Sequence, residues 1–81
     1  MPQPLTPLDT PQALGQAMRS ARKHLGLTQP QLALAAGVGV RFVVDLEAGK
    51  PPLRLEHILR VLRALGGTLA VAGLPGSNRD G

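Results

Sequence analysis

Apolar residues recur along this chain at intervals of three and four, in blocks bounded by glycine and proline. That spacing is the period of a helix buried on one face. In the first block Leu14, Ala17, Ala21 and Leu25, with Met18 beside them, form one stripe. Thr10 before it suits an N-cap, Pro11 suits the first helical position, and Gly26 suits a left-handed stop. A helix from Pro11 to Leu25 follows. In the second block Thr28 and Gln31 have the spacing of a capping box, and Leu27 and Leu32 that of a hydrophobic staple. Pro30 falls in the first turn, and Gly37 supplies the turn after Ala36. The third block turns Val43 and Leu46 inward, starts near Gly39 or Val40 and ends at Ala48. Gly49 follows at C′, and Pro51 and Pro52 forbid continuation. The fourth runs roughly from Arg54 to Leu65, with Leu55, Ile58, Leu59, Leu62 and Leu65 on its buried face. Glu56 near its start and Arg60 and Arg63 near its end complement the macrodipole.

The period then changes. Thr68, Leu69, Ala70, Val71 and Ala72 alternate with period two and stop at Gly73, which predicts one short strand. No other segment reads as a strand, so its backbone groups need a partner outside the chain. The same strand of a second copy, paired antiparallel about a twofold axis, is the economical solution; a frayed apolar tail is the alternative. Pro2, Pro4 and Pro7 mark residues 1–9 as a loose arm. The expected organisation is that arm, a helical domain over 10–66, a dimerisation strand over 67–73 and a loose tail over 74–81.

Composition narrows the function. Eighty-one residues make one small domain, near the lower limit for folding without metal or disulfide. With 43% hydrophobic residues and a single Phe, the core has to be aliphatic, which suits packed helices. The net charge of +4 favours polyanionic partners. The absence of cysteine removes disulfides and thiolate metal sites and fits a reducing compartment. No apolar stretch approaches the roughly 20 residues of a membrane span, and the N-terminus has no secretory pattern. A cytoplasmic protein without membrane contact is expected. His24 and His57 have no ligand at metal spacing, and no phosphate loop, nucleophile elbow or paired-acid constellation occurs. Neither a cofactor nor enzymatic activity is expected.

Two short helices joined by a tight glycine turn, with Ala33 at the crossing and Val38 plugging the corner, are the elements of a helix-turn-helix. Here the sequence resembles the Xre/Cro-type repressors, the family of the lambdoid phage repressors. The family pattern stands as Gly26-Leu27-Thr28-Gln29, Leu32-Ala33, Ala36-Gly37-Val38 and Leu46-Glu47-Ala48-Gly49-Lys50. Arg41 to Val71 further resembles the HipB-like antitoxins of HipA-type toxin–antitoxin pairs. The resemblance implies an all-α, lambda-repressor-like domain of four to five helices, with the C-terminal strand pairing across a homodimer. It also implies repression of the protein's own operon at an inverted repeat in double-stranded DNA, and a kinase-fold, HipA-like toxin as partner. Two alternatives stand beside this: a general Xre regulator without a toxin, and a protein-interaction module that keeps the helix-turn-helix as scaffold.

Matched to the family motif, Gly39, Val40, Arg41, Val44 and Asp45 face base edges. Arg41 is suited to a bidentate bond with a guanine, or alternatively to a phosphate. Val40 and Val44 suit thymine methyls. Asp45 either accepts from a cytosine amino group or orients Arg41 one turn earlier. Thr28, Gln29, Phe42 and Lys50 are phosphate-side candidates, although Phe42 equally fits the core or the fourth helix, and Lys50 a solvated loop. Arg19 and Lys23 are similarly open. Arg22 and Glu47 match the positions that tie the first helix to the end of the third, as a partly buried ion pair.

Overall fold

The computed structural model describes residues 7–51, 54–71 and 73–75. Most of the expected arm and tail, together with Pro52 and Ala72, lie outside the described residues. Four helices follow in order: α1 (Pro11–His24), α2 (Gln29–Ala36), α3 (Val40–Glu47) and α4 (Leu55–Ala64).

Local chemistry starts and stops them. The Thr10 hydroxyl accepts the Ala13 N–H at 3.0 Å, opening α1 with Pro11 in its first turn. At α2 the capping box is complete: Gln31 N–H donates to Thr28 Oγ1 at 3.2 Å, and Thr28 N–H donates to Gln31 Oε1 at 2.9 Å. Gly37 closes α2 at φ +71°, a conformation that a side chain would strain. The chain then turns so sharply that Val38 N–H reaches the Ala33 carbonyl at 3.0 Å.

Met18, Leu32, Ala33, Val43, Leu46 and Val61 form the core, with Leu14, Leu27, Val38, Phe42, Ile58 and Leu62 packed around it. Two details differ from the expected stripes. On α1 the buried line is Gly15, Met18 and Arg22, and Leu25 caps the helix exposed. A charged residue takes the inward position because its counter-ion is there too, which an apolar-only pattern misses. On α4 Val61 is fully buried, whereas Leu55, the first residue of that helix, is exposed. Thr68 to Val71 are exposed and form no strand ladder within the single chain.

Two contacts fix α3 against α1. Gly15 lets the helices meet backbone to backbone. A Cβ there would lie 2.8 Å from the Glu47 carbonyl oxygen and closer still to that of Leu46. The second contact is ionic. Arg22 Nε and Nη2 donate to Glu47 Oε2 and Oε1 at 2.7 and 3.0 Å, and Nη1 donates to the Leu27 carbonyl at 2.7 Å. The two side chains are only 10% and 4% exposed. The hydrogen bond to Glu47, helped by its charge, raises the Arg22 pKa against the opposing effect of burial. With its carboxylate partner ionised, a cationic group whose pKa is raised loses its contribution only as the pH rises through the arginine range. Arg22 therefore stays charged wherever the protein is handled.

Gly15→Ala should lower the unfolding free energy by about 1–3 kcal/mol through overpacking, despite a helix-propensity gain of roughly 1 kcal/mol. Urea denaturation measures this, and a stabilised variant would contradict the backbone contact. Arg22→Met should cost about 3–5 kcal/mol by stranding a buried carboxylate, and Arg22→Met combined with Glu47→Leu should recover most of it. The same denaturation curves decide: additive losses in the double variant would disprove the stranded-charge account.

Candidate nucleic-acid interface

Val43 and Leu46 are fully buried and hold α3 to the core from one side. Helical geometry then turns Val40, Arg41 and Val44 outward, and all three are exposed, as is Gly39 before them. Gly39 offers no side chain to cap the helix, so nothing of its own stands over the first turn. The result is a short, nearly apolar ridge with one cation on it.

That cation is open to solvent. The Arg41 side chain is 81% exposed, and its Nε lies 3.5 Å from Asp45 Oδ1 one turn later. This is an ion contact and too long for a good hydrogen bond. Asp45 is half-buried, and its Oδ1 is shielded from solvent without a hydrogen-bond donor. Only the Arg41 half of the pair is exposed: if the guanidinium moved away, the shielded Asp45 Oδ1 would lose its nearby cation and still have no donor among the described residues, a costly state for a buried acceptor.

The start of α2 lies against the other end of α3. Gln29 is half-buried, and its Nε2 donates to Glu47 Oε1 at 3.1 Å. The carboxylate that holds Arg22 thus also holds Gln29, spending one amide N–H and leaving one for another acceptor. The spacing of residues 29 and 47 gives no sign of this tie; it exists because Arg22 brings Glu47 beneath the α2 cap. Thr28 is exposed, with its hydroxyl occupied by the cap, and Lys50 is exposed after α3.

Phe42 does not stand among the outward residues of α3. It packs partly buried on the core, with the His57 ring of α4 edge-on at 5.2 Å and 90°. Arg19, Lys23 and His24 lie exposed on α1. Leu69 of the C-terminal segment lines, with Leu8, Leu14 and Ile58, an apolar hollow of about 430 Å³. Among the described residues no cluster of three or more His, Asp or Glu side chains could hold a metal ion, and no helix is long and apolar enough to cross a membrane.

A family model described as helix-turn-helix, HTH_3, matches residues 18–71. The chain is 44% identical over 72 residues to y4mF, an uncharacterized HTH-type transcriptional regulator of Sinorhizobium fredii, covering 89% of this chain and 93% of that one. Among solved structures, a chain of a HipA–HipB–O2–O3 complex superposes with a TM-score of 0.77, covering 85% of this chain and 97% of that one. At 22% identity this is a likeness of fold. A toxin–antitoxin module from Streptococcus pneumoniae superposes with a TM-score of 0.67 at 35% identity, over 76% of this chain and 68% of that one. With the glycine turn, the outward ridge of α3 and the family match over most of its length, the chain belongs to the Xre-type helix-turn-helix family of DNA-binding transcriptional regulators.

Proposed function

We propose that this protein is a homodimeric repressor that binds an inverted repeat and acts as the antitoxin of a HipA-like kinase toxin. The observation that carries the DNA-reading part is the outward face of α3. Arg41 stands exposed there, 3.5 Å from Asp45, on a helix whose inner face and C-terminal end are fixed by Val43, Leu46 and the Arg22–Glu47 pair.

In this reading Gly39, Val40, Arg41, Val44 and Asp45 enter the major groove. Arg41 bonds a guanine, the two valines meet thymine methyls, and Asp45 steers Arg41. Thr28, Gln29 and Lys50 meet phosphates at the groove's edges, Gln29 through the amide N–H that Glu47 leaves unspent. Phe42 contributes from behind, through its packing on α4. Residues 10–66 form the binding domain. Thr68 to Ala72 pair with the same segment of a second copy, setting the separation of the two reading helices at about one helical turn of DNA. The exposed Leu69 and Val71 support that pairing, since dimerisation would cover them.

The antitoxin part rests on the likeness to HipB in fold and to the Streptococcus pneumoniae module in sequence and fold. The relative y4mF, named only as a transcriptional regulator, favours a second reading in which no toxin exists. A kinase-like reading frame adjoining this gene, whose product co-purifies with the chain, supports the antitoxin; a lone gene supports the second reading.

Gel-shift titration against the gene's own upstream DNA and against random duplex tests DNA reading. We expect tighter binding to the upstream DNA and a steep fall in affinity with salt. No binding to either duplex at low salt would refute it. Arg41→Ala should remove about 1–3 kcal/mol of discrimination at one base pair per half-site, with folding retained. Uniform weakening across sequences would instead assign Arg41 to a phosphate.

A further inference from the structure

The outward face of α3 is built mostly without polar atoms. Val40 is 45% exposed and Val44 37%, and Gly39 before them has no side chain. A single surface valine means little. These two stand one turn apart on one face, roughly 6 Å along the helix, which is close to two base-pair steps of about 3.4 Å. Arg41 shares that face with them, and its guanidinium is 3.5 Å from Asp45. Valine has neither donor nor acceptor, so anything it distinguishes in a groove it distinguishes by apolar contact. On the major-groove edge of the four standard bases, the exposed apolar group is the C5 methyl of thymine. A cytosine methylated at C5 carries the same group on the same ring atom. It differs from thymine on that edge by an amino group in place of a carbonyl, a difference that valine has no atom to sense.

We propose that Val40 and Val44 read the C5 methyl group of a pyrimidine, whichever base carries it, so that 5-methylcytosine is accepted in place of thymine. This rests on the proposal that α3 enters the major groove, and it adds a response to DNA methylation. Unmethylated cytosine would leave each valine against a bare ring edge, where its burial is incomplete. Methylating that cytosine supplies about one further buried carbon per contact, equivalent to roughly fourfold in affinity. The hydrogen-bonding edge of the base pair is unchanged by the methyl group, so Arg41 and Asp45 register no difference. Methylation of cytosine at C5 within the bound DNA thereby becomes a signal that tightens binding. The antitoxin reading has no part in this, since the valines belong to the reading helix alone.

Fluorescence-anisotropy titration of the full chain against a duplex of the gene's own upstream DNA tests this. Thymines are first replaced singly by deoxyuridine, which removes the methyl group and nothing else. We expect roughly fourfold weaker binding at about one or two thymines per half-site, and no change elsewhere. At each such pair the duplex is then remade with cytosine and with 5-methylcytosine opposite guanine. The methylated form should bind roughly fourfold more tightly than the unmethylated one. In Val40→Ala combined with Val44→Ala both methyl effects should disappear, with the helical circular-dichroism signal kept because both side chains are exposed. Equal affinity for thymine and deoxyuridine at every position would overturn the proposal and leave DNA reading intact, placing the valines against sugars or another protein. Cytosine and 5-methylcytosine bound alike would overturn it as well. So would methyl effects that persist in the double variant, by assigning them to DNA shape or another side chain. Binding to neither upstream nor random duplex at low salt would remove the DNA reading and this inference together.

Discussion

An arginine and a glutamate both withdrawn from solvent are an expensive feature in so small a domain. They persist because each nitrogen of the guanidinium and each oxygen of the carboxylate has a hydrogen-bond partner. Arg22 gives two hydrogen bonds to Glu47 and a third to the Leu27 carbonyl, and Glu47 takes a further one from Gln29. Those four bonds join α1, the loop before α2, the first turn of α2 and the last residue of α3. Well-packed hydrophobic residues could replace the pair at similar stability, but without the hydrogen bonds that tie the end of α3 to α1 and α2 at once. The ion pair's contribution is direction: the end of α3 is held from two sides at once.

The length of α3 makes that direction matter. Eight residues are too few for a helix stable on its own, so its place is set by what touches it. Val43 and Leu46 fix its roll, Gly15 fixes how near its C-terminal carbonyls come to α1, and Glu47 fixes its far end. Its start is left uncapped by any side chain. A short rod clamped at one end and bare at the other presents its first turns in one orientation, as a protein that docks a helix into a groove requires.

How far this was legible in the sequence depends on whether the controlling interaction is local. The α2 cap lies wholly within Leu27 to Leu32, so its hydrogen bonds follow from residue type and offset, and the turn at Gly37 follows from one glycine. The Arg22–Glu47 contact spans 25 positions; composition and period alone do not indicate it, and it enters only through the family resemblance. The tie from Gln29 to Glu47 is a consequence of that contact and is invisible without it. Gly15 reads as an ordinary weak point of a helix until the α3 carbonyls are seen against it. The stripe that includes Leu25 and Leu55 fails for a related reason. Periodicity finds the side of a helix but does not say where along its length the cover ends.

Arg41 and Asp45 show how such a scaffold can combine a fixed helix with a movable reader. If Asp45 were solvated, Arg41 could leave it freely and the two would act independently. The Asp45 Oδ1 is instead shielded and has no hydrogen-bond donor among the described residues, and the cation paired with it there is the guanidinium 3.5 Å away. In the proposed complex, water would be excluded further and phosphates would add negative charge, so removing Arg41 entirely would isolate that carboxylate. The favourable arrangement is therefore a bridge, with the guanidinium turned towards a base while one side of its fork still faces Asp45. A lysine at position 41 would offer a point charge and no fork, so it could serve the base or the carboxylate but not both in a fixed plane. On a ridge whose other outward members are valines, hydrogen-bonded base selectivity would then rest on the Arg41–Asp45 pair acting as one unit.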